Sequence, residues 1–557
     1  MIGNVIVTGA VSNLLGYSRA CMSDAEHEVA LEDTDRIHGR TALVRNVAAA
    51  VSLSNAVRST LGPRGMDKML VDGEGAASVT NDGVTVLEMA KVEHPTANLL
   101  IASSSSQDRA ARDGTTTTVI LMAEMLQNAL ELVRAGIHPS IIINGYRIAN
   151  EKALEELDNI SRYANDRGLK EAVVKTSLQG KIDSLLSKHL TELALNAAES
   201  LSDEDGGKDL ERLRIKRIQI SGGRALDSEL LPALVLAKTK LIGTTSTFSE
   251  GGRVAIIDGA IEERKLSLDA QIEINELGVL KDFQARNEKY LTEIVGHLEK
   301  LGVDLLIVRD GIADEAISIL SEAGITAYRR FERNDLERLS KLTNTNMIRD
   351  IKKITKEDIG EYSSRSEENI GGINYTKIEG EFGGAMTVII RGSTPEIRDE
   401  VGRVFDDALG VSHRLTKEEE ILPGGGATQI HLARKLREYA TTQSGREQMA
   451  IEGYAAALEI VPRTLAENAG YDPIDIVLSL SAAQSKNKEE GAWIGLNGNS
   501  GEISDMLKEE IFDPKFVAEH AITGATEAAI SILRIDDVLW AKKGPETPDW
   551  TNQIEDN

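Results

Sequence analysis

Apolar residues recur at helical spacing between Arg40 and Thr60, at Leu43, Val44, Val47, Val51, Ala56 and Val57. The spacing predicts a helix that stops at Gly62-Pro63, a helix-ending pair. Short stretches at Lys68–Asp72 and Ser78–Thr80 predict two strands, and His94–Ser106 and Thr115–Ala135 predict two more helices. In the middle of the chain the pattern changes. An apolar run at Asp304–Arg309 precedes a helical pattern at Asp314–Ala323, a second run at Ile325–Arg330 and a helix at Asp335–Leu342. Strands alternating with helices predict a parallel α/β layer. Ahead of it, Leu277–Lys300 reads as an amphipathic helix without a local partner, expected to project outward. Helical patterning returns at Glu396–Leu409, Ala427–Tyr439 and Glu447–Glu467, with a turn-rich patch at Gly495–Gly501. The two ends are alike in class, and no internal repeat interrupts them.

A chain of 557 residues exceeds one hydrophobic core and is expected to form about three or four domains. Its 41% hydrophobic and 27% charged residues are ordinary for a globular protein. The tail Gly544–Asn557 is acidic and turn-rich, and disorder is expected there.

Lysine and arginine total 63 against 89 aspartate and glutamate, a net charge of -26. Such a balance repels phosphate backbones and anionic lipid, so neither nucleic acid nor a membrane is expected as partner. Solubility alone accounts for the acidity, and so does a salt-rich cytoplasm. Cys21 is the only cysteine, which excludes an internal disulfide and a thiolate-built zinc site. The stretch Met1–Cys21 lacks the features of a signal peptide, and a reducing, cytoplasmic location is expected. Met22-Ser-Asp-Ala-Glu begins an acidic stretch that reads as a second candidate translation start.

Asp113-Gly114-Thr115-Thr116-Thr117-Thr118 opens a predicted helix. Free backbone N–H groups, the helix dipole and hydroxyl donors then converge on one point, an anion site. A carboxylate at its mouth would repel phosphate unless a cation lay between, which makes Asp113 a Mg²⁺ ligand candidate. A plain aspartate N-cap is the bland alternative, weakened because four threonines are poor helix formers. Thr60-Leu61-Gly62-Pro63-Arg64-Gly65 and Pro423-Gly424-Gly425-Gly426-Ala427 are further glycine turns at helix boundaries. No G-x-x-x-x-G-K-[ST] loop accompanies them. Taken alone, Asn81-Asp82-Gly83 reads as a hairpin turn and Asp406-Asp407 as a solvated helix face.

In combination these motifs are specific. Thr60–Leu70, Asn81–Thr85, Asp113–Thr117, Asp407–Leu409 and Pro423–Ala427 occur in the order that resembles the group II chaperonin family, which includes the archaeal thermosome. Gly145–Arg147, Thr176–Lys181, Asp227–Glu229, Ala525–Ala529 and Ile532–Asp537 extend the resemblance over Arg36–Ala541. The resemblance implies ATP and Mg²⁺ as cofactors, with Leu61, Gly62, Pro63 and Gly425 flanking the nucleotide. It implies that Asp113 binds the metal and that Gly114, Thr115, Thr116 and Thr117 hold phosphates. Asp82 and Asp407 would position and activate the attacking water, and Asn497 and Asp513 would contact the nucleoside. Lys181 matches a lysine that senses the terminal phosphate, with a solvated loop lysine as the alternative.

Because residues near 62–117 and 407–427 must share one site, the chain between them has to leave and return. The resemblance implies a multidomain α+β fold: a mainly helical equatorial ATPase domain (1–165 and 421–557), a small α/β intermediate hinge domain (166–235 and 387–420) and an α/β apical domain (236–386). The apical domain would carry a helical protrusion near Ala260–His297, and subunits would form a homo- or hetero-oligomeric double ring that encloses non-native proteins. Three residues or segments depart from the family pattern: Arg112 stands for glycine, Gln429 for glutamate, and Thr244–Glu250 lacks His-Pro-Gly-Met-Pro. Arg112 and Gln429 keep a ring subunit with weak ATPase and a mainly structural role as an alternative, and a small-molecule kinase is a separate one.

Overall fold

The structure, a computed structural model, describes residues 34–541 except 72, 74, 76, 90, 91, 93, 202–213, 242–246, 263–276, 382, 488 and 489. Both ends of the described chain contribute to one helical core. Helix Arg40–Arg58 inserts Val47, Ala50, Leu53 and Val57 against helix Thr115–Arg134, which also packs on Lys515–Leu533 and Glu447–Leu458. Thr115–Arg134 is buried on nearly every side from Val119 to Val133, so it forms the axis of this body rather than an amphipathic surface element. Tyr146 donates its hydroxyl to the Met125 carbonyl at 2.7 Å inside the same core. Strands Thr34–His38 and Asp537–Ala541 pair antiparallel and join the two ends directly.

A second core lies between helices Arg167–Ser177, Ser184–Leu201 and Pro395–Leu415, with Val173, Leu190, Val404, Phe405 and Leu409 buried together. Strand Met386–Gly392 runs parallel to Ile215–Ser221 and antiparallel to Glu229–Leu231. Residues before and after the middle of the chain thus share one small sheet.

The middle itself is the parallel layer the sequence predicts. Strands Thr326–Tyr328, Leu305–Val308, Gly252–Ile257 and Met347–Ile348 lie in that order, all parallel, and Gly360–Tyr362 adds an antiparallel partner to Gly252–Ile257. Alternate residues explain the run of buried side chains. Leu306 and Val308 face helices Leu277–Leu301 and Asp314–Glu322, while Leu305 and Ile307 face helix Arg333–Thr343 and strand Ala233–Leu236.

Two expectations change. Helix Leu277–Leu301 does not stand free: Leu291, Ile294, Val295 and Leu298 are buried on the parallel sheet. Much of the expected protrusion, 263–276, lies outside the described residues, as do Cys21, the Met22 start, the tail and part of the Thr244–Glu250 loop. The single helix expected at Glu447–Glu467 divides at Glu459 into Glu447–Leu458 and Ile460–Ala469, because Pro462 cannot donate to a continuous ladder and sits in the first turn of the second helix. Among the described residues no helix is long and apolar enough to cross a membrane.

Candidate functional site

Helix Thr115–Arg134 begins at Gly114, whose φ of 76° places it in the left-handed region, and no side chain caps the helix. Asp113 is therefore not its N-cap. The Asp113 Oδ1 instead accepts the Gly114 N–H at 2.8 Å, which leaves the first-turn N–H groups of the helix open toward the cleft. Gln107, itself buried, donates through Nε2 to the carbonyls of Asp113 and Val517 and braces this loop.

A cleft of about 200 Å³ opens in front of the helix. Its walls include Leu61, Gly62, Pro63, Asp82, Asp113, Gly114, Thr115, Thr116, Thr117, Lys181, Gly425 and Asp513. Twelve of the fourteen expected site residues therefore meet in one cavity. The close turns are geometric necessities at two positions. Gly425, at φ 61°, would place a Cβ 2.3 Å from the Leu496 carbonyl oxygen, and Gly62, at φ 86°, would place one 2.4 Å from Leu465 Cδ2.

Asp82 does not sit in a hairpin turn. Its carboxylate accepts from the Thr85 N–H at 2.9 Å and the Thr85 hydroxyl at 2.7 Å, at the start of the short helix Gly83–Met89. The segment after strand Ala77–Thr80 turns into a helix because Asp82 supplies the cap. Asp407 lies just beyond the cleft wall on helix Pro395–Leu415, where its Oδ2 accepts from Lys181 Nζ at 2.8 Å. The Lys181 and Asp407 side chains are 17% and 19% exposed, so neither a solvated loop lysine nor a solvated acidic face describes them.

Asn497 is not brought in. Its Oδ1 accepts the N–H groups of Asn499 and Ser500 and its Nδ2 donates to Glu509, so it shapes the turn while Gly498 lines the cleft. The sequence reading also missed Thr60 and Gln179, which line the cleft as well, as does Gln429, noted there only as a departure from the family pattern. Thr60 and Gln179 stand inside motifs already singled out, and their positions were the available signal. Gln429 is 7% exposed, and its Oε1 finds no protein donor.

Electrostatically the cleft is acid-rich. Burial pushes Asp407 up to about 7, against the pull of Lys181. Asp513 is likewise pushed up to about 7 by burial and by the Asp113 charge. Burial raises Asp113 too, partly offset by Lys181 and the Gly114 N–H. For Lys181, burial works against the charge, but Asp407, Asp113 and Asp82 outweigh it and hold the ammonium above its usual range. One lysine among four carboxylates cannot neutralise them all. A divalent cation beside Asp113 fits this excess of negative charge, and Mg²⁺ typically takes one or two carboxylates and completes its shell with phosphate oxygens and water. No trio of His, Cys, Asp or Glu among the described residues forms a dedicated cage, and a metal arriving with a nucleotide does not need one.

Arg112 is the last turn of helix Pro95–Ala111 and has φ 56°, ψ 10°. A side chain in this left-handed conformation costs about 1 kcal/mol relative to glycine. Its Nη1 lies 3.5 Å from Asp108 Oδ2, and it is not part of the cleft wall.

The TCP-1/cpn60 chaperonin family profile matches residues 53–543. The chain is 39% identical to a thermosome subunit of Pyrococcus horikoshii over 92% of this chain and 93% of that protein. Identity is 39% with thermosome subunit beta of Thermococcus kodakarensis, covering 92% and 94%. It is 38% with a thermosome subunit of Methanocaldococcus jannaschii, covering 94% and 96%. A cleft whose walls come from the separate stretches 60–121, 176–181 and 425–522, and a family match across the same span, lead to one conclusion: this chain belongs to the TCP-1/cpn60 chaperonin family.

Proposed function

We propose that the chain is an ATP-dependent chaperone, a subunit of a group II chaperonin double ring that encloses non-native proteins. The observation that carries this reading is the Lys181–Asp407 pair, delivered to the Asp113–Thr117 cradle by segments far from it in sequence. In this reading the helical core at the two ends is the equatorial ATPase domain (1–165 and 421–557). The small parallel-strand body is the intermediate hinge domain (166–235 and 387–420), and the α/β layer is the apical domain (236–386).

The free N–H groups and hydroxyls of Thr115–Thr117 receive the phosphates. Asp113 would hold Mg²⁺, which when bound would neutralise phosphate charge and polarise the phosphoryl oxygens. Asp407 and Asp82 orient a water for in-line attack, and Asp407 accepts its proton. Lys181 fixes the Asp407 carboxylate and carries positive charge to the terminal phosphate. Since Asp407 and Asp113 sit on different bodies, closure of the hinge completes the site, and hydrolysis becomes a switch between open and closed chambers. Client contacts are apolar and nonspecific. A kinase of small molecules finds no support in the family match.

The test is electron microscopy of purified protein with and without ATP, alongside phosphate release in Mg²⁺ and in EDTA. Double rings that change shape with ATP and a Mg²⁺-dependent rate support the proposal. Monomers in high salt, with no related subunit present, oppose it.

A further inference from the structure

Helix Pro395–Leu415 carries Asp407 and touches helix Pro95–Ala111, which ends at the phosphate cradle. Arg414 reaches across that junction. Its Nη1 donates to the Ala110 carbonyl, and its guanidinium lies 4.7 Å from the centre of the buried Phe516 ring. Glu418 steadies the group from its own side of the junction: Oε1 accepts from Nε at 3.3 Å and lies 3.2 Å from Nη2. Asp407 and Arg414 are two helical turns apart, about 10 Å along the axis, and so share one face of their helix. Ala110 has a use for this donor. A helical carbonyl ordinarily pairs with the N–H four residues on, which here belongs to Gly114, and that N–H goes to Asp113 Oδ1 at 2.8 Å instead. Arg414 supplies the replacement.

We propose that Arg414 is a positioning residue for ATP hydrolysis: by tying its helix to the Ala110 carbonyl and the Phe516 ring, it sets Asp407 against the cradle. The inference rests on the ATP reading above. Three site residues converge on this one guanidinium. Asp407 lies two turns back on the same helix, Asp113 follows Ala110 by three residues, and Asp513 precedes Phe516 by three. Arg414 itself stays out of the cleft wall, so it acts through these residues and not on the nucleotide. The cradle loop has a separate brace in Gln107, which donates to the Asp113 carbonyl. Loss of Arg414 therefore falls mainly on Asp407, which works on the water, and less on the groups that hold the phosphates.

The test is steady-state phosphate release, with mant-ADP binding measured in parallel, on the assembled full-length protein in Mg²⁺. Arg414→Met keeps an apolar chain over the Phe516 ring and removes the donor. Its kcat is expected to fall about tenfold, the scale of one hydrogen bond from a charged donor, with nucleotide affinity changed less than about twofold. Arg414→Lys, which keeps the charge and a donor, should recover most of the rate. Placed in Asp407→Asn protein, Arg414→Met should slow turnover no further, because the residue it positions is already disabled. A merely structural role predicts the opposite pattern: binding weakened together with turnover, and a further loss in the Asp407→Asn background. Either of those results, or an unchanged kcat in Arg414→Met, would overturn the positioning role alone. Should Arg414→Met fail to assemble, Phe516→Leu removes the stacked ring while keeping an apolar side chain; about threefold lower kcat with affinity kept is expected, and an unchanged kcat would overturn the role. Failure of the unaltered protein to bind mant-ADP and release phosphate would overturn the ATP reading and the positioning role with it.

Discussion

Replacing Asp407 by asparagine isolates its charge from its shape. The amide still offers Lys181 an acceptor at the position now 2.8 Å away, so the lysine is not left without a partner. What disappears is the carboxylate proposed to take a proton from the attacking water. Hydrolysis at saturating ATP should fall by about 10²-fold or more, with nucleotide affinity nearly intact. The pH behaviour follows from the burial that pushes Asp407 up to about 7. Only the ionised form accepts a proton, so the unaltered rate should rise with pH to a plateau above 7, and the Asp407→Asn rate should lack that rise. Stability moves the other way. The folded carboxyl titrates at about 7 against about 3.9 for an aspartate in an unfolded chain, so the folded state holds a proton the unfolded chain has released. Its contribution is present at low pH and is lost as pH rises from about 4 through about 7. At about 1.36 kcal/mol per pH unit, the difference between those two values is worth roughly 4 kcal/mol. The nucleotide-free Asp407→Asn protein should therefore gain stability relative to the unaltered protein between pH 5 and pH 8. Phosphate release, calorimetric ATP titration and melting curves across that range measure all three. Loss of ATP affinity in Asp407→Asn, with hydrolysis of bound ATP preserved, would refute the assignment.

Asp113→Ala should lose both Mg²⁺-dependent nucleotide binding and hydrolysis, read by titration with and without EDTA. Arg112→Gly should raise the denaturation midpoint by the equivalent of about 1 kcal/mol, whereas Arg112→Ala should not, because only glycine relieves the left-handed backbone. Gly425→Ala should weaken nucleotide binding and cost more than about 1 kcal/mol of stability, since the new methyl would meet the Leu496 carbonyl at φ 61°. Thermal unfolding together with ATP titration checks that variant.

The amino-acid sequence by itself determined what depends on near neighbours. The 3.6-residue spacing specified helix Arg40–Arg58, and apolar runs between turn residues specified the parallel strands at Leu305–Val308 and Thr326–Tyr328. Asp113-Gly114-Thr115 marked a helix start, found at Thr115, and such a start exposes its N–H groups wherever it lies. Tertiary structure decided what depends on distant residues. Lys181 is a solvated loop lysine in any local reading, and only packing of helix Pro395–Leu415 sets Asp407 against it. Leu277–Leu301 looked unpartnered because the sheet it packs on exists only when strands Gly252–Ile257 and Leu305–Val308, on either side of it in sequence, pair with each other. Asp82 became a helix cap and Asn497 a turn organiser for reasons of hydrogen-bond satisfaction that side-chain identity alone leaves open. Arg112 shows the division most plainly: the sequence marked it as out of place, but its left-handed backbone, and the packing of Arg414 on the Ala110 carbonyl just before it, appear only in the folded chain.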